Sequence, residues 1–162
     1  MKSNKWLEKY LQNQRFGLVK DKLVGDVLDF GGNKGELKKY VKGIYHLTNK
    51  SLKFHYWYFD TIVALAVIEH LTIQETIDNF KMFKRYLAPN GRIYITTPTK
   101  RVHPILKTLA FLRILDKENI EEHKHYWTKK ELYQLAWTAD LEVLEYRTFQ
   151  MGFNQFVIMG HR

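Results

Sequence analysis

The stretch from Val24 to Gly35, Val-Gly-Asp-Val-Leu-Asp-Phe-Gly-Gly-Asn-Lys-Gly, constrains this chain most. Val24 to Phe30 is a short apolar run with β-branched content that ends in glycines, the pattern of a buried strand. Gly31 to Gly35 then reads as a tight turn, and Glu36 to Lys42 as a helix. Glycines let a backbone turn sharply and approach a ligand closely, and a helix that follows presents free N–H groups. A turn without a ligand accounts for these residues equally well, so other segments must decide.

The remaining segments alternate strand with helix. Trp6, Leu7, Tyr10 and Leu11 recur at helical spacing, so a helix opens the chain. Gly43 to Thr48 and Thr61 to Leu65 are short strands. Thr72 with Glu75 forms a capping box. It starts a helix with Ile73, Ile77, Phe80, Phe83 and Leu87 on its apolar face, stopped by a turn at Ala88-Pro89-Asn90-Gly91. Arg92 to Thr97 alternates apolar with polar residues and is a strand. Pro104 opens a helix to Leu115, and Thr128 with Glu131 caps another that runs to about Ala139. Leu141 to Phe149 and Phe153 to Met159 are strands close enough to form an antiparallel hairpin.

This order predicts an α/β fold: a Rossmann-like three-layer sandwich, its sheet mostly parallel with an antiparallel hairpin at the C-terminal end. One domain over 1–162 is expected, with an N-terminal helix in 1–22 and the core in 23–162. The chain has no cysteine, which excludes disulfides and thiolate metal sites and favours a reducing, cytoplasmic setting. No signal-peptide core follows the basic first residues, and Thr61 to Ile68 is too short to span a bilayer, so no membrane partner is expected. The net charge of +9 favours anionic partners. The densest lysine group, Lys34, Lys38, Lys39 and Lys42, has the spacing of a solvated helix face.

Three stretches, GDVLDFGGNKGEL, FDTIVALAVIEHL and LAPNGRIYITTPT, occur in the order and with the chemistry of class I S-adenosylmethionine-dependent methyltransferases. The part from His103 to Met159 resembles a bacterial subgroup of small-molecule methyltransferase domains, in which a histidine-aromatic stretch leads into a helix. The resemblance covers roughly residues 22 to 160 and implies S-adenosylmethionine as cofactor. It implies that Asp29, Gly31, Gly32, Asn33 and Gly35 cradle the cofactor's amino acid part, and that Leu65 and Ala66 lie along it near the methyl group. Glu69 and His70 then start the next helix beside the active site. Methyl transfer needs alignment above all, because the sulfonium carbon is already electrophilic. A base is needed only where the acceptor must lose a proton. His70, Glu69, His123 and His125 are the candidates. No metal site is expected: His123 and His125 stand beside Glu121 and Glu122, but no third ligand has a recognisable spacing.

The chain departs from the family pattern in two places. Asn33 stands where a middle glycine is usual. Only the 24 residues 36–59 separate Gly35 from Asp60, so fewer strands than the family's usual seven are expected. The acid that ends the family's second strand and binds the ribose hydroxyls has no counterpart in Gly43 to Thr48. Phe54, His55, Tyr56, Trp57 and Tyr58 stand there to stack on adenine or to plug a core exposed by the deletion. The leading expectation is methyl transfer to a small-molecule or glycan-type acceptor, with an anionic one suiting the charge. A non-catalytic relic of the fold that binds a partner is the alternative. A nucleic-acid methyltransferase or RNA-binding protein is the third, disfavoured because no nucleic-acid-binding or base-methylation motif is present. The oligomeric state is open.

Overall fold

The computed structural model describes residues 5–48, 58–102 and 123–162. The expected helix from Pro104 to Leu115, the aromatics Phe54 to Trp57, and Glu121 with Glu122 lie outside the described residues. Among the described residues, the helices α1 (Lys5–Val19), α2 (Ile73–Tyr86) and α3 (Lys129–Thr138) accompany six strands. The strands are β1 (Val27–Phe30), β2 (Tyr45–Thr48), β3 (Phe59–Leu65), β4 (Leu87–Pro98), β5 (Leu141–Phe149) and β6 (Asn154–His161). They form one sheet in the order β2-β1-β3-β4-β6-β5, parallel from β2 to β4 and antiparallel through β6 and β5. No helix among the described residues is long and apolar enough to cross a membrane.

Alternation along the central strands builds both faces of the sheet. Leu28, Ile62, Ala64, Ile93, Ile95, Val157 and Met159 turn to one side and meet Phe80 and Phe83 of α2 and Leu132 and Leu135 of α3. Val27, Val63, Tyr94, Phe156 and Ile158 turn to the other and meet Val19 at the end of α1 and Leu37. The period of two is the strand's own geometry, and burial on both faces explains why these strands read as nearly continuous apolar runs.

The local signals behave as the residues dictate, with instructive exceptions. Both capping boxes form, at Thr72 with Glu75 and at Thr128 with Glu131. Ile73, expected on the buried face of α2, is 51 % exposed because it occupies the first turn, ahead of the sheet. The expected turn at Ala88 to Gly91 is instead an excursion inside β4, since Leu87 already pairs with Phe59 and pairing resumes at Arg92 with Thr61. The strand predicted from Val24 begins only at Val27, because Gly25 adopts a positive φ of 58°. Trp6 and Tyr10, at helical spacing in α1, stack on each other and stay exposed. The helix expected over Glu36 to Lys42 is a 3₁₀ turn, Glu36–Tyr40, so Lys34, Lys38, Lys39 and Lys42 are exposed without forming one helix face.

Candidate functional site

The strand order reverses between β1 and β3, whose chains continue to β2 on one side and β4 on the other. Ligands of open α/β sheets bind at the carboxyl ends of strands at such a point. Here the exit of β1 is the glycine turn. Gly31, Asn33 and Gly35 hold φ of 76°, 49° and 68°. Asparagine is among the few residues other than glycine that tolerate this region, so Asn33 keeps the turn intact where a middle glycine is usual. The Gly31 N–H donates to the Thr48 carbonyl at 2.7 Å, tying the exits of β1 and β2. A Cβ at Gly31 would lie 2.6 Å from Cγ2 of Val67, so the turn packs directly against the chain leaving β3.

Under the turn lies the Asp29 carboxylate. A Cβ at Gly32 would come within 2.1 Å of its Oδ2. Asp29 is buried, and Tyr45 donates its hydroxyl to Oδ2 at 2.5 Å. Burial pushes the Asp29 carboxyl above its ordinary pKa, with the Tyr45 bond opposing. The Tyr45 hydroxyl is itself pushed far up, by burial first and by its carboxylate partner second.

The exit of β3 carries the second half of the site. Ala66 adopts φ 57°, a strained value for a residue with a Cβ, and its N–H is held by the Thr96 carbonyl at 2.8 Å and the Thr96 hydroxyl at 3.1 Å. The chain then makes a single 3₁₀ turn, Ile68–His70. Glu69 points inward and is 2 % exposed, accepting a 3.0 Å bond from the Thr97 hydroxyl. Burial raises its pKa to about 7, against the opposing effects of its own backbone N–H, Thr97 and the distant charge of Arg15 on α1.

The histidine-aromatic stretch is stitched onto this turn. Lys124 and His125 donate their N–H groups to the Glu69 carbonyl at 2.8 and 3.2 Å. The buried Trp127 indole donates to the Ile68 carbonyl, and Gln155 of β6 donates to the Trp127 carbonyl at 2.6 Å. These bonds set the His70 and His123 rings edge to face, with centroids 4.8 Å apart. His123 Nδ1 lies 3.1 Å from the Tyr126 hydroxyl.

The structure therefore brings Glu69 and His70 together with His123. His125 turns elsewhere: its Nε2 lies 3.2 Å from Glu131 Oε1, and its ring meets Trp127 edge-on at 4.8 Å. Asp29, Gly31, Gly32, Asn33 and Gly35 line the β1 side, and Leu65 and Ala66, half-buried, the β3 side. Sequence inspection passed over Tyr45, Thr97 and Val67. Tyr45 is revealed only by the parallel register that sets it opposite Val27, and Thr97 only by the return of β4 beside β3. Of the aromatics expected near the adenine, Tyr58 alone is described, and it is 64 % exposed.

Comparison with known proteins gives the same frame. The PH0226 protein from Pyrococcus horikoshii OT3 superposes with a TM-score of 0.69 at 15 % identity, over 96 % of this chain and 92 % of that one. Magnesium protoporphyrin IX methyltransferase from Synechocystis PCC 6803, solved with bound SAH, gives 0.61 at 12 % identity, over 95 % and 83 %. The mitomycin 7-O-methyltransferase gives 0.69 at 11 % identity, over 92 % and 53 %. At such identities the likeness is one of fold, and the chain spans about half the length of the mitomycin 7-O-methyltransferase and of other solved structures it resembles. No curated protein matches the sequence. The methyltransferase-domain family, however, matches residues 5–146, nearly the whole chain, and this protein belongs to that family.

Proposed function

We propose that the protein transfers a methyl group from S-adenosylmethionine to a small-molecule or glycan-type acceptor in a reducing, cytoplasmic setting. One observation carries this: the glycine turn after β1 and the Ala66 to His70 segment after β3 meet at the point where the strand order reverses. Family membership supports the cofactor, and the structures of a mitomycin O-methyltransferase and of an O-methyltransferase with bound S-adenosyl-L-homocysteine and a dihydroxynaphthoic acid support a small acceptor.

The residues fit an S-adenosyl compound. The turn offers Gly31, Gly32 and Gly35 without side chains, Asn33 and Lys34 point outward, and Ala66 opposite presents only a methyl group. When bound, the cofactor supplies an electrophilic methyl carbon. Gly31, Gly32 and Ala66 keep the backbone within reach of the ligand. The buried Asp29 carboxylate holds the turn from below through Tyr45. The Glu69, His70 and His123 group stands at the carboxyl end of β3, where an acceptor hydroxyl would meet it, and Trp127 closes its floor against water.

The test is calorimetric titration with S-adenosylhomocysteine and S-adenosylmethionine. Saturable binding of one molecule per chain is expected. No binding at millimolar concentration would overturn the proposal in favour of a non-catalytic relic of the fold.

A further inference from the structure

A fully buried glutamate is rare in proteins unless it is paired or coordinates a metal. The Glu69 carboxylate is met by the Thr97 hydroxyl and its own backbone N–H and feels the charge of Arg15, but it has no ion pair within 4 Å among the described residues. Beside it stand two imidazoles contributed by different segments. One potential ligand atom each from Glu69, His70 and His123 lies within 4.8 Å of the other two.

We propose that Glu69, His70 and His123 bind one divalent transition-metal ion of the zinc or manganese class, with open positions facing the acceptor. Two imidazoles and one carboxylate are the donor set of such ions, whereas magnesium and calcium prefer oxygen alone. Bonds of about 2.1 Å set tetrahedral ligand atoms about 3.4 Å apart, so the group must close by at most about 1.4 Å, within the reach of side-chain rotation.

The surroundings are those of a prepared site. The Thr97 hydroxyl orients the carboxylate, and the Tyr126 hydroxyl engages His123 Nδ1, which leaves Nε2 as the ligand when Nδ1 carries the proton. Such outer partners fix the ring and tautomer of metal-bound histidines. The backbone bonds from Lys124 and His125 to Glu69 hold the two halves together without using any ligand atom. The open positions, as in catalytic metal sites generally, would take an acceptor hydroxyl oxygen. The substrate class is then a small molecule that offers a hydroxyl to a metal. This last step rests on the methyl-transfer proposal; the ion site itself does not.

The test uses the tag-free chain of residues 1–162, stripped with a chelator and titrated with zinc ion alone, without cofactor or acceptor. One zinc per chain at micromolar affinity or tighter is expected. His70→Ala and His123→Ala should each weaken it at least tenfold, and His161→Gln, at the far end of β6 from the group, should not. X-ray absorption of the zinc-loaded wild type should show two imidazole ligands, a measurement that holds even if a variant fails to fold. No zinc uptake, uptake indifferent to both histidines, or absorption without imidazole would overturn the site. Zinc binding without S-adenosylhomocysteine binding would sink the methyl-transfer proposal and leave the site standing. The reverse result would sink only the site.

Discussion

Gly31 answers to two masters. Its φ of 76° lies where side chains are rarely tolerated, and its missing Cβ makes room for Val67. Gly31→Val therefore strikes the fold before it strikes any ligand. Urea titration should show a loss of at least about 2 kcal/mol, and an unchanged midpoint would contradict the packing. Asp29 offers a cleaner probe. Burial raises its pKa above the ordinary value of 3.8. A raised folded pKa means that the native state holds the proton more tightly. Its stabilising contribution is full below about pH 4 and is lost as pH rises through the folded value. Asp29→Asn should remove that step from a plot of unfolding free energy against pH. Tyr45→Phe should displace it upward, because the hydroxyl bond that favours the carboxylate is gone. A step that persists in Asp29→Asn would assign it to another group.

The elements announced themselves in the sequence wherever their signals are local. Thr72 with Glu75 and Thr128 with Glu131 mark helix starts because both partners of each bond lie within one turn. Thr128→Ala should cost about 1 kcal/mol in thermal or chemical unfolding, and Thr128→Ser should restore most of it. If both substitutions cost the same, the hydroxyl is not what caps α3. What the residues did not disclose depends on strands meeting across the sheet. The Tyr45 to Asp29 bond needs the register of β2 on β1, and the excursion at Ala88 to Gly91 needs the pairing of Leu87 with Phe59. The Glu69, His70 and His123 group needs β3 and the approach to α3 brought side by side. His125 and His123 look alike in sequence, and only the backbone bonds to Glu69 decide which ring turns inward.

At the scale of the molecule, β2 is the edge beside the glycine turn, and its carboxyl end is Thr48, opposite Phe30. Tyr45 and His46 stand at the other end of that strand, so an acid meant for a ribose belongs at Thr48. Thr48→Asp should tighten S-adenosylhomocysteine binding by about tenfold, the worth of one well-made hydrogen bond to a charged group. Calorimetry showing unchanged or weaker binding would mean that the ribose lies elsewhere. The +9 charge is spread over the surface, as in the exposed lysines after the turn, so any pull on an anionic acceptor acts on its approach more than on its seating.

The place of β6 has a consequence for how the molecule comes into being. It lies between β4 and β5, although it follows both in the chain. While a ribosome is still making residues 141–149, the flank of β4 that carries Tyr94 and Ile95 has no neighbour to pair with. Emergence of residues 154–161 lets one strand satisfy two edges at once, and it also brings Gln155 to the Trp127 carbonyl beneath the histidines. The nascent chain thus carries an unsealed apolar edge until residues 154–161 are made, the condition under which chaperones engage, and the contact beneath the histidines forms only then.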